Sequence, residues 1–159
     1  MQTVLTAFIM RHAEAVPQRP GERDFDRPLL ARGTDEASAM GRWLRTRMPG
    51  LAAVLSSPAR RARMTTEAVL AAWDETPPPV TWSPALYLAE LPVLVESLEQ
   101  AEASPILLVG HNPGLEELVQ YLFPGGEIGM STAALCAFEV RAVDGRISRG
   151  AGTLQAHMR

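Results

Sequence analysis

Residues Ile106–Val109 read Ile-Leu-Leu-Val, four apolar side chains in a row with no polar alternation. A strand with one face in water alternates apolar and polar residues. One that is apolar on both faces must be covered on both, as an inner strand of a parallel sheet is by helices above and below. The next residues, Gly110-His111-Asn112-Pro113-Gly114, switch abruptly to polar and turn-forming types. Two other segments have the same form. Thr3–Met10 (TVLTAFIM) is a short run with β-branched members that ends at Arg11-His12, and Ala52–Ser56 (AAVLS) ends at Ser57-Pro58.

Helical periods lie between these runs. Ala37, Met40, Leu44 and Met48 recur at intervals of three to four within Thr34–Met48, and Pro49-Gly50 supplies a stop. Pro58 suits a helix start, and Ala62–Trp73 continues helically with Val69, Leu70 and Trp73 on the inner side. Three prolines in Thr76–Pro79 mark a rigid connection to a brief strand at Val80–Trp82. Leu91, Leu94, Val95 and Leu98 predict a third helix beginning near Pro92, and Leu115–Phe123 a short fourth one. Residues 13–33 are rich in Pro, Gly and charge with no period, which predicts a long surface loop. Ala134–Val140 and Arg146–Leu154 predict a closing hairpin around Asp144-Gly145. The alternation of strand, loop and helix thus points to an α/β sheet covered on both faces, with antiparallel strands at the end. A length of 159 residues suits a single domain over 1–159.

Composition narrows the chemistry. All 15 basic residues are Arg, and the absence of Lys removes Schiff-base chemistry, a P-loop lysine and a kinase strand lysine. Cys136 is alone, so an internal disulfide, a CxxC pair and a Cys-rich zinc site are excluded, and a reducing cytoplasm fits best. The N-terminal apolar run stops at Arg11, far short of a secretory signal, and no stretch approaches a membrane span. A net charge of −3 gives no reason to expect nucleic acid or an anionic membrane as partner. A monomer is the default at this size.

In open α/β sheets, ligands bind beyond the carboxyl ends of the strands. Those ends carry Arg11-His12, Ser57–Arg63 and Gly110-His111-Asn112. Parallel strands would bring two imidazoles and several guanidiniums into one crevice, which suits an oxyanion with several acceptor oxygens, phosphate above all. Two His without HxH or HExxH spacing fit a metal poorly, and no GxSxG elbow is present for a serine triad. A neutral histidine can still act covalently, by accepting a phosphoryl group and releasing it to water.

Arg11-His12 after the first strand, Ser57-Pro58 to Arg61-Ala62 with Thr65, and Gly110-His111-Asn112-Pro113 together resemble the histidine phosphatase superfamily (phosphoglycerate mutase-like). Phe8–Ala15, Arg27-Pro28-Leu29 with Gly33, and Thr132-Ala133-Ala134 resemble its small SixA-type phosphohistidine phosphatase branch. The resemblance implies a three-layer α/β/α sandwich with a central, mostly parallel sheet, a phosphohistidine intermediate, and no metal or other cofactor. It also implies His12 as nucleophile, Arg11 and Arg61 as phosphate-binding residues, and His111 as a second histidine contacting the phosphoryl group. Arg27 is a candidate to line the pocket from the long loop. Arg60 and Arg63 are expected in solvent or at the rim.

Many members of the wider superfamily supply a carboxylate as general acid for an oxygen leaving group. The nearest candidate here is Glu90, and Glu14 is a weaker one. Phosphohistidine leaves as imidazole across a labile P–N bond and depends less on such an acid than an ester does. The chain also lacks the long insertions that cap larger relatives, which predicts an open site able to admit a protein side chain. The expected substrate is therefore a phosphohistidine-bearing partner protein. The alternatives are a small phosphorylated molecule and a non-catalytic phosphate-binding module.

Overall fold

The computed structural model describes residues 1–159. Its strands are β1 (Gln2–Arg11), β2 (Ala53–Ser56), β3 (Val80–Trp82), β4 (Ile106–Gly110), β5 (Leu135–Val143) and β6 (Gly152–Met158). They form one sheet in the order β3-β2-β4-β1-β5-β6. The first four in that order are mutually parallel, while β5 and β6 are antiparallel to their neighbours. The helices are α1 (Ala31–Arg47), α2 (Arg60–Leu70), α3 (Leu91–Glu99) and α4 (Gly114–Leu122). This is the mixed α/β architecture with helices on both faces that the alternating pattern implied.

The inner strands sort their side chains between two cores. Ala7, Ile9, Ile106 and Leu108 join Leu94 and Leu98 of α3 and Leu115, Leu118 and Leu122 of α4. Phe8, Met10, Leu107 and Val109 join Ala37 and Leu44 of α1 and Ala62 and Val69 of α2. Every residue of β4 is buried, which accounts for its unbroken apolar run. Burying each such Leu or Ile contributes about 2–3 kcal/mol. Helices α1 and α2 meet at backbone contact, because a Cβ on Gly41 would overlap the Val69 carbonyl. The fit offsets the roughly 1 kcal/mol that glycine costs inside a helix.

Several boundaries differ from the sequence-based expectation, and β5 runs on to Val143 past the expected Val140. Helix α1 starts at Ala31 and not at Thr34: no side chain caps it, the Leu30 amide donates to Glu14 O (2.9 Å), and Leu30 O accepts from Thr34 N (3.1 Å). Helix α2 ends at Leu70, with Ala71–Trp73 in a turn. The Asp144-Gly145 turn forms, with Val143 and Arg146 bonded in both directions (2.9 and 3.0 Å), but the ladder stops there. Ile147 is drawn into the core, its amide donating to Glu99 Oε2 (2.8 Å) and its carbonyl accepting from Tyr121 OH (3.0 Å). Pairing resumes only at Val140–Gly152, so the last strand is Gly152–Met158 and not Arg146–Leu154.

The long stretch before α1 folds back on itself. Ala15 bridges Leu29, and Asp24–Asp26 form a short 3-10 turn. Because β4 lies between β2 and β1, the carboxyl ends of these three strands sit side by side.

Candidate active site

His12 follows β1 and is held from both sides: its amide donates to Gly110 O (3.0 Å) and its carbonyl accepts from Ala133 N (3.1 Å). The side chain is 6% exposed. Its Nδ1–H donates to Ala13 O (2.7 Å), so a neutral ring carries its lone pair on Nε2. Burial, with the nearby Arg61, Arg11 and Arg27 guanidiniums, lowers its pKa to about 4 despite the opposing Ala13 bond. The ring is therefore neutral at pH 7.

His111 follows β4, with its ring centroid 5.2 Å from that of His12. Burial first, then the His12 ring and Arg61, lower its pKa to about 3. Its Nε2 lies 2.7 Å from the Ser57 hydroxyl, and the Tyr87 ring packs edge-on against it at 5.6 Å.

Arg61 comes from the first turn of α2 and is 2% exposed. Its Nη1 donates to the backbone carbonyl of Asp24 (2.7 Å) and its Nη2 to Asp24 Oδ2 (2.9 Å). Arg27 Nε donates to Asp24 Oδ1 (3.0 Å), and Tyr87 OH to Asp24 Oδ2 (2.6 Å). Burial raises the Asp24 pKa, but the Tyr87 hydroxyl and the two arginines outweigh it and hold the group at about 2. Arg11 Nη1 donates to Met130 O (3.1 Å), which also accepts from Asn112 Nδ2 (2.8 Å). The Met130 amide in turn donates to Glu116 Oε1 (2.9 Å).

These groups line one cavity of about 360 Å³, which holds Arg11, His12, Arg27, Arg61 and His111 together with Glu14, Asp24, Asn112 and Thr132. Arg60 and Arg63 point into solvent, the latter stacked 4.9 Å over Trp82. Glu90 is not among the lining residues; it sits exposed at the N-terminal end of α3. Glu14 does line the cavity, but both its carboxylate oxygens accept from Arg32 (2.6 Å each). A larger cavity of about 500 Å³ runs along α4, and it holds no histidine and only one arginine, Arg149. The smaller cavity is thus the one that gathers the two histidines with Arg11, Arg27 and Arg61.

Buried polar atoms without partners need an explanation. Five side-chain atoms of this kind occur, and four belong to residues lining the small cavity: Arg11 Nε, Arg61 Nε, His111 Nδ1 and Asn112 Oδ1. Three of the four are nitrogens, and all four residues surround the cavity that His12 also lines. No three His, Cys, Asp or Glu side chains are grouped so as to hold a metal ion.

Sequence reasoning did not find Asp24, Tyr87 or Met130, and it noted Ser57 only as part of a strand-end segment. Asp24 is one of four acidic residues between 13 and 33, a stretch without any period to say which of them turns inward. The only available signal was its place three residues before Arg27, the spacing that lets the two pair across a 3-10 turn.

The fold and the groups at its strand ends define an α/β protein with two histidines and three arginines around one pocket. The chain belongs to the histidine phosphatase superfamily (branch 1), whose family model matches residues 7–87. It is similar to phosphohistidine phosphatase SixA of Escherichia coli, with 30% identity over 138 residues, 84% of this chain and 83% of that protein. Uncharacterised proteins of Mycobacterium tuberculosis match at 38% identity over 107 residues, 65% of this chain, and the chain spans 63% of their length. Among solved structures, SixA of Agrobacterium tumefaciens superimposes with a TM-score of 0.84 at 26% identity, covering 98% of this chain and 97% of that one. The protein histidine phosphatase SixA complexed with tungstate gives 0.78 at 28% identity, covering 97% and 96%.

Proposed function

We propose that this chain is a phosphatase that removes the phosphoryl group from phosphohistidine on a partner protein, through a covalent intermediate on His12. The observation that carries the reading is that Arg11, Arg61 and His111, each with a buried side-chain nitrogen that has no partner, line one cavity with His12, whose Nε2 is left free by the Ala13 bond. The SixA relative bound to tungstate, a tetrahedral oxyanion, supports it.

In the first step the Nε2 lone pair attacks phosphorus and the P–N bond to the substrate imidazole breaks. A substrate ring already protonated on its other nitrogen departs as neutral imidazole, so the enzyme need not supply a proton. In the second step water attacks the phosphorus of phospho-His12, the electron pair of the breaking bond returns to Nε2, and the proton lost by water passes to phosphate or solvent. The arginine forks and the His111 N–H stabilise charge on the equatorial oxygens, the task a metal performs in other phosphoryl-transfer sites. Accordingly, no metal is required.

The preference for phosphohistidine over an ester rests on the two carboxylates of the cavity. Arg32 engages Glu14 and lowers its pKa, and Asp24 is held at about 2, so neither is a proton donor near neutral pH. An alkoxide leaving group would need such a donor.

Incubation with a labelled phosphohistidine protein should give an acid-labile phosphoenzyme that disappears in His12→Ala, with turnover lowered at least about 1,000-fold. Glu90→Gln and a chelator should leave turnover unchanged. Full activity of His12→Ala would overturn the mechanism, and a large loss in Glu90→Gln would favour ester substrates.

A further inference from the structure

Ser57 and His111 are separated by 54 residues in sequence, yet Ser57 Oγ lies 2.7 Å from His111 Nε2 at the junction of β2 and β4. Ser57 is fully buried and His111 is 3% exposed, so neither group finds solvent in place of its partner. Ser57 Oγ also accepts a hydrogen bond from the Ala59 amide (3.3 Å). A hydroxyl has one proton to give, and the position of that proton follows from counting donors.

Suppose the His111 proton were on Nε2. Ser57 Oγ would then accept from both the imidazole and the Ala59 amide, and its own proton would have no acceptor. His111 Nδ1 would be a buried lone pair, also without a partner. Each unpaired buried polar group costs free energy. If the proton is on Nδ1, Ser57 donates to Nε2 and accepts from Ala59. A single group is then left over, an N–H on a residue that lines the catalytic cavity. A phosphoryl oxygen satisfies it.

We propose that Ser57 is a positioning residue that fixes His111 as its Nδ1–H tautomer and so holds a neutral hydrogen-bond donor ready for the phosphoryl group. The donor's catalytic use rests on the proposed phosphatase reading, whereas the tautomer does not. The two histidines of the site then have opposite polarity although both carry their proton on Nδ1. In His12 the Ala13 carbonyl takes that proton's hydrogen bond and leaves Nε2 as nucleophile. In His111 the serine takes up Nε2 and leaves Nδ1–H as donor.

The neighbouring Ser56 provides an internal control. It is equally buried, accepts from Thr66 Oγ1 (2.9 Å) and donates to the Ser57 carbonyl (2.9 Å), with no bond to His111. Ring nitrogens of His111 in the full-length ¹⁵N-labelled protein report the tautomer directly in long-range ¹H–¹⁵N spectra. The wild type should show a protonated Nδ1 and a bare Nε2. Ser57→Ala should shift His111 toward the Nε2–H form and lower kcat/KM about 10- to 100-fold, less than the roughly 100- to 1,000-fold cost of deleting an oxyanion donor outright, because the His111 ring remains in place. Ser56→Ala should lower the melting temperature but leave the His111 spectrum as in wild type. A wild-type His111 protonated on Nε2, or a Ser57→Ala spectrum identical to wild type, would overturn the proposal. If the spectra behave as described and the wild type shows no turnover of phosphohistidine, the substrate reading fails and the tautomer assignment stands.

Discussion

Asp24 grips Arg61 with two acceptors at once, its backbone carbonyl at 2.7 Å and its carboxylate at 2.9 Å. The guanidinium is buried and the carboxylate is 29% exposed, so the loop acts as a clamp on a charge that the core cannot hydrate. Asp24→Ala removes the charged partner and leaves the arginine buried with only the backbone bond. It should destabilise the protein by about 2 kcal/mol, less than for a fully buried pair because solvent already reaches Asp24. That corresponds to a fall of roughly 6 °C in melting temperature for a chain of this length. Turnover should fall about 10- to 100-fold as Arg61 loses its orientation. A melting curve and a rate both equal to wild type would show that the clamp carries nothing.

Glu116 touches none of the cavity arginines, but it accepts from the Met130 amide, whose carbonyl accepts from Arg11 and Asn112. Glu116→Ala should weaken inorganic phosphate or tungstate binding about tenfold, the cost of one well-placed hydrogen bond to a buried group. Glu116→Gln, which keeps an acceptor oxygen, should recover most of that affinity. Equal weakening in both variants would mean that the Glu116 charge, not its hydrogen bond, supports Arg11.

Acid should weaken both folding and activity. His12 and His111 titrate in the folded protein at about 4 and about 3, against an ordinary value of 6.5. The unfolded chain therefore binds protons first as pH falls, and the folded state loses stability from about pH 6.5 down to about pH 3. Above pH 6.5 the contribution is fully present. Asp24, depressed from 3.8 to about 2, adds a further loss below pH 4. Denaturant midpoints at pH 7, 5 and 4 should fall in that order, and kcat/KM should drop as His12 protonates near pH 4. A midpoint that does not change between pH 7 and pH 4 would contradict the buried neutral histidines.

The sequence revealed the strands better than the loops, for a physical reason. Residues such as Ile106–Val109 are apolar because two helical layers cover them, so burial is written directly into composition. The same logic singled out Arg11-His12, the Ser57–Arg63 segment and Gly110-His111-Asn112 at the strand ends, whereas the choice of Arg61 within its segment came from the resemblance to the histidine phosphatases. Nothing comparable marks Asp24 or Tyr87. Their positions depend on where an aperiodic loop and a short turn come to rest, and charge alone does not separate Asp24 from Asp26. The shift of β6 has a related origin: Asp144-Gly145 does encode its turn, but the pull of Ile147 into the core breaks the ladder beyond it. The side-chain partner of His111 was equally hidden, because Ser57 and His111 meet only across paired strands.

The placement of β4 between β2 and β1 also bears on how the molecule is made. His12 and Arg61 are synthesised early, but the strand that spaces their supports begins only at Ile106, and its pairing with Ala7–Arg11 spans about 100 residues of chain. Contacts of such long range close late and slowly. A nascent chain that has reached Tyr87 already holds His12, Arg11, Arg61 and the clamp on Arg61, yet it lacks the His111, Asn112 and Thr132 wall of the cavity. His12 is thus exposed during synthesis without its burying environment, and the chemistry proposed for it requires the parallel pairing that β4 completes.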